Sequence, residues 1–133
     1  MRKISLIALV LITIFVASGC QGKVIVPKGD YKDGQYDVKQ KSEGPGYEEA
    51  VVTITNGFIN NVELKKLDDN QKEVNYDEWD GTKDGKPNLK KFRVDFGKLM
   101  VAKQSANIDA ISGATQSCNG WKAAVSESLE KVR

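Results

Sequence analysis

An α+β fold, a small antiparallel sheet packed against two amphipathic helices, is predicted by three features of the sequence. Apolar residues alternate on both sides of an Asn56-Gly57 dipeptide, others recur at helical spacing from Leu89, and a second helical stripe from Trp121 closes the chain.

The strand signals lie between Tyr31 and Leu67. Ala50, Val52 and Ile54 alternate with Val51, Thr53 and Thr55, and the run stops at Asn56-Gly57, a pair suited to the positive φ angles of a tight hairpin turn. The return strand has Phe58, Val62 and Leu64 in one phase and Ile59 in the other; a bulge near Asn60-Asn61, or twisting alone, reconciles them. A shorter strand around Gln35 to Lys39 precedes a turn in "SEGPGY".

From Asp68 to Pro87 the chain is polar and turn-rich, with Tyr76 and Trp79 as its large apolar anchors. It is long for a plain connector and reads as a surface flap or a functional loop. Its acids lack the spacing and closing glutamate of a calcium-binding hand, so a solvated loop is the preferred reading. A helix then carries Leu89, Phe92, Phe96, Leu99 and Met100, with Pro87 before it, Asn88 placed to cap it and Gly97 weakening it slightly. The last helix, from about Ser117 to Arg133, places Trp121, Ala124, Val125, Leu129 and Val132 on one stripe.

The start of the chain has the basic, apolar, small order of a secretory signal: Arg2 and Lys3, an apolar run from Ile4 to Ala17 that is short for a membrane span, then small residues. Ala17-Ser18-Gly19-Cys20 resembles the lipobox of bacterial lipoproteins, with Ala17 where that family prefers Leu. The resemblance implies a lipoprotein signal peptide over residues 1–19 and acylation of Cys20, with chains such as palmitate. It further implies a lipid-anchored linker over 20–30 and a domain over 31–133. Membrane lipid is then a partner through Cys20, and the expected location is the extracytoplasmic face of a cell membrane. Removing 19 residues from 133 leaves 114, one small domain with a modest core.

Without Arg2 and Lys3 the 20 basic side chains fall to 18, equal to the 18 acidic ones. Such a balance lacks the concentrated basic surface of a nucleic-acid binder. With Cys20 acylated, Cys118 has no intrachain partner, and a chain without histidine is poorly equipped for a structural zinc or transition-metal site.

The segment "DAISGATQSCNG" ends where the last helix begins. Gly113 permits a sharp turn or a close approach, Ala114 keeps that approach uncrowded, and the unpaired amides of a helix start favour phosphate. Ser112, Thr115 and Ser117 add hydroxyls. Ordinary capping by Ser or Thr explains the same residues.

The motif resembles the flavinylation motif of the FMN-binding domain family, whose members include the flavoprotein subunits of sodium-pumping quinone reductases and related ion-pumping complexes. "YKDGQYDV", "GPGYEEAVVTITNGFINNVEL" and "QSANIDAISGATQSCNGWKAAVSESL" are similar, in that order, to the family's opening strand, its Gly-rich turn and hairpin, and its close. The resemblance implies FMN phosphoester-linked to Thr115, with Asp109, Ser112, Gly113 and Ala114 as the recognition turn and Ser117 beside it. Gln116, Ser117 and Cys118 depart from the Thr and Ser that come after the motif in many members, so the Cys118 thiol faces either cofactor or core. The 68–87 loop also has no match to the family's Glu-Thr-Pro-like stretch.

The same resemblance implies an extracytoplasmic electron-transfer flavoprotein, a carrier with no catalytic residues of its own that depends on partner oxidoreductases. No histidine is present to activate Thr115, so a separate exported flavin transferase is implied. Trp121 and Tyr47 are the aromatics considered for ring contact, each with a packing role as the alternative. The second function is a noncovalent FMN-binding or structural lipoprotein without redox turnover.

Overall fold

A computed structural model of the chain describes residues 28–79 and 81–133. The signal-like leader, Cys20 and most of the expected linker lie outside the described residues. Among the described residues no helix is long and apolar enough to cross a membrane.

Three strands, β1 (Gly34–Lys41), β2 (Tyr47–Thr55) and β3 (Phe58–Leu67), precede two helices, α1 (Leu89–Lys103) and α2 (Thr115–Glu130). The strands pair antiparallel in the order β1-β2-β3, which is the expected α+β architecture. Asn56 and Gly57 turn the β2–β3 hairpin with φ of 53° and 76°.

Register in β3 shows the bulge, and not twisting alone, to be what reconciles the two phases. Ile54 pairs with Ile59 but Thr53 pairs with Asn61, so Asn60 is the extra residue of a bulge. The bulge turns Ile59 into the phase of Val62 and Leu64, all three buried, and leaves Phe58 exposed.

Alternation divides the sheet into two unlike faces. Val38, Ala50, Val52, Ile54, Val62 and Leu64 meet the helices, with α1 over β3 and α2 over β1 and β2. The opposite face carries the register partners Lys39, Glu49 and Lys65; Glu49 lies 3.4 Å from Lys39 Nζ and 3.7 Å from Lys65 Nζ.

Asn88 caps α1 by accepting the Lys91 N–H at 3.1 Å. Leu89, Phe92, Phe96 and Met100 turn inward as the spacing predicts, but Leu99 does not and is 47% exposed. The cause is Gly97, which is buried against β3: a Cβ there would stand 2.4 Å from the Val62 carbonyl oxygen. The helix rolls toward its bare side, and Leu99 is carried out toward solvent. In α2 the stripe Trp121, Ala124, Val125 and Leu129 is buried, with Val132 just beyond the helix end. The helix itself starts at Thr115, two residues before the predicted Ser117, and ends at Glu130.

Tyr76 fastens the long loop to the sheet. Its hydroxyl accepts the Lys66 N–H at 3.1 Å and donates to Glu73 at 2.8 Å, while the Arg93 guanidinium sits 4.1 Å from the ring centroid.

Gly97→Ala should destabilise the protein by about 1–3 kcal/mol in urea denaturation, although alanine is the better helix former by about 1 kcal/mol. A gain in stability would show that the close approach of α1 to β3 yields easily. Burial pushes the Tyr76 phenol from 10.0 up to about 12, against the pull of the Lys66 N–H. The folded state therefore holds this proton more tightly, and the stability it contributes is complete below pH 10 and lost as pH rises toward 12. Across that interval the stability advantage of wild type over Tyr76→Phe should shrink, and a constant difference would contradict the assignment.

Candidate functional site

The turn before α2 is held by backbone and core rather than by hydroxyl caps. Ala114 N–H donates to the Ile111 carbonyl at 3.0 Å, Cys118 N–H to the Ala114 carbonyl at 3.0 Å, and Ile111 N–H to Cys118 Sγ at 3.5 Å. Gly113 takes φ of +84° and packs against Pro87 of the long loop. The residue at the cap position is Ala114, whose side chain offers no acceptor. Among the described residues the hydroxyls of Ser112, Thr115 and Ser117 have no hydrogen-bond partner, so ordinary side-chain capping is not what this turn does. The free amides of the first turn of a 16-residue helix are left for another acceptor.

That helix end opens into a cleft of about 790 Å³. Gly113, Ala114, Thr115, Gln116 and Ser117 form one wall; Ser42, Gly44 and Pro45 of the β1–β2 turn form another. The long loop from Glu78 to Pro87 supplies a third, with Trp79 at 45% exposure, and Glu48 and Lys66 reach in from the sheet. A cleft of this volume is in the range of small-molecule and cofactor sites, about 300–1,000 Å³.

Of the sequence-derived site residues, Gly113, Ala114, Thr115 and Ser117 line the cleft, with Thr115 exposed within it. Asp109 and Ser112 are exposed on the turn and stand outside the lining. Cys118 is fully buried and also outside it, which settles the open choice for its thiol in favour of the core. Burial pushes that thiol's pKa up, more than the Ile111 N–H and the charge of Lys122 pull it down, so it is a protonated packing group.

Neither aromatic considered for ring contact lines the cleft, and the packing alternative holds for both. Trp121 is fully buried, 5.8 Å from the Phe92 ring and 6.4 Å from Phe96, with its indole N–H donating to the Lys65 carbonyl at 2.8 Å. Tyr47 lies in the strand phase turned away from the helices, with Lys41 Nζ 4.6 Å from its ring centroid. The large exposed aromatic of the cleft is Trp79, placed by the turn in which Asn75 O accepts the Glu78 and Trp79 N–H groups. Among the described residues no group of three His, Cys, Asp or Glu side chains could hold a metal ion.

An uncapped helix start, a free hydroxyl and an exposed aromatic around one cleft fit a ligand with a phosphate at one end and a flat ring system at the other. The FMN-binding domain family matches residues 19–130. The chain belongs to that family. Its fold is shared with the crystal structure of the CPE2226 protein from Clostridium perfringens at a TM-score of 0.66, covering 77% of this chain and 88% of that one. At 23% identity this likeness concerns the fold. No curated protein matches the chain.

Three members of the cleft, Glu48, Lys66 and Trp79, carry no functional motif in the sequence. Glu48 and Lys66 are direct cross-strand partners, in phase with the core residues Ala50 and Leu64, so alternation alone places both charges on the helix-facing side. Trp79 is visible in the sequence only as an anchor of a polar loop; its part in the cleft depends on where that loop folds back.

Proposed function

We propose that this FMN-binding domain is an electron carrier bearing FMN in phosphoester linkage to Thr115. The observation that carries the reading is the free Thr115 hydroxyl at a helix start capped only by Ala114, inside a cleft of cofactor size. When bound, FMN supplies one- and two-electron transfer.

The chain's own residues divide the remaining work. The first-turn amides of α2 face the charge left on a phosphodiester, and Gly113 and Ala114 leave room for it. Trp79 offers a flat apolar surface to the ring in place of Trp121 and Tyr47. Thr115 has no histidine to activate it, so its attachment to FMN is the work of a separate, exported flavin transferase. The exposed side chains of Asp109 and Ser112 are what such an enzyme would read.

The lipobox-like Cys20 completes the proposal: residues 1–19 leave as a signal peptide, acyl chains on Cys20 hold the protein at the outer face of the membrane, and residues 20–30 link it to the domain. A carrier so placed passes electrons between a membrane reductase and an extracytoplasmic acceptor.

Protein purified from its native host should show a mass gain equal to FMN less one water, carried on the peptide containing Thr115. Thr115→Val should abolish it; an adduct at another residue would overturn the site. An unmodified Thr115 in the presence of an active transferase, with yellow colour lost on denaturation, would favour a noncovalent FMN binder. In the flavin-loaded protein, Trp79→Leu should raise flavin fluorescence by removing a stacked quencher, and unchanged emission would place the ring elsewhere.

A further inference from the structure

A buried ion pair and a hydroxyl lie on the sheet side of the cleft. Lys66 Nζ donates to Glu48 Oε1 at 2.6 Å and to Ser42 Oγ at 2.6 Å, and Ser42 Oγ donates to Glu48 Oε2 at 2.6 Å. Glu48 is 1% exposed and Lys66 8% exposed, yet all three residues line the cleft. Both carboxylate oxygens are thus engaged, while the ammonium has used two of its three donors; among the described residues the third has no partner.

Removing two charges from water is costly, and a buried pair contributes little net stability compared with well-packed apolar side chains. Cross-strand alternation would have accommodated apolar residues at both positions. A pair held at the edge of a cleft, with one cationic donor unspent, is instead suited to meeting an anion.

Along α2 the pair is offset from the phosphate site at Thr115. Glu48 meets α2 at Gly120, where an added Cβ would stand 2.7 Å from Glu48 Oε2. Gly120 is five residues along the helix from Thr115, or about 7.5 Å of axial rise. Glu48, and Lys66 bound to it, thus sit beside the second turn of α2 and not at its start. Two electrons and one proton added to oxidised FMN leave a single negative charge on the ring, shared between N1 and the C2 carbonyl oxygen.

We infer that Lys66 is the residue that meets this charge, with Glu48 and Ser42 as positioning residues that hold its ammonium on the cleft side. The inference rests on the FMN reading given above. Lys66 then favours the reduced cofactor, with electrons supplied by a partner reductase and the proton by solvent.

The test uses flavin-loaded protein, with loading measured by mass and by absorbance, equilibrated in a redox buffer of fixed potential. Because Lys66→Gln leaves Glu48 buried without its partner, the neutral pair Glu48→Gln/Lys66→Gln is measured alongside it, and Lys66→Arg tests retention of charge. In the neutral pair the ratio of reduced to oxidised flavin should fall about threefold, because loss of the nearer Lys66 charge is partly offset by loss of the opposite charge on Glu48; Lys66→Arg should keep most of the wild-type ratio. An unchanged ratio in folded, loaded neutral-pair protein overturns this inference and leaves the FMN reading intact. Wild-type protein that holds no flavin, covalent or noncovalent, overturns both.

Discussion

Trp121 is the contact on which the rest of the molecule depends. Its ring fills the space between Phe92 and Phe96 of α1 and the sheet, and its indole N–H is satisfied by the Lys65 carbonyl of β3. One side chain thus fixes the last helix to the other helix and to the end of a strand. A large aromatic with its single polar atom paired stabilises by area and specifies orientation at once. With α2 fixed, its first turn and Thr115 are fixed too, and so is the approach of Gly120 to Glu48.

The second constraint is the closeness of α1 to β3. The buried Gly97 lets the helix backbone rest against the Val62 carbonyl, and the roll that results turns Leu99 outward. The long loop between β3 and α1 leaves the sheet tied down by Tyr76 and returns to meet Gly113 through Pro87. Its apparent lack of a core is therefore misleading: few apolar residues are needed when the loop's task is to wall a cleft. Membership of the FMN-binding domain family makes FMN the occupant proposed for that cleft.

The side chains proposed to act in the cleft are drawn from segments distant in sequence. Ser42 and Glu48 belong to the β1–β2 corner, Lys66 to the end of β3, Trp79 to the loop and Thr115 to the final helix. Only the last of these sits in a recognisable local motif. The others become a group because an antiparallel meander places the β1–β2 turn and the end of β3 at the same end of the strands, and α2 begins beside it.

Element order, the α+β class, the Asn56-Gly57 turn and the Asn88 cap are all legible in the sequence, because period and turn chemistry are local properties. The sequence also singled out the turn around Thr115, through a short motif and a helix start. Tertiary structure decided which side of the local pattern won. The bulge at Asn60 exchanged Phe58 for Ile59 in the core, and Gly97 became a contact surface rather than a weak helix residue. Cys118 and Trp121 went to the core, and Trp79 went to the cleft. These outcomes depend on how far apart two backbones settle and on what fills the space between them, and neither is written in the spacing of residues along one chain segment.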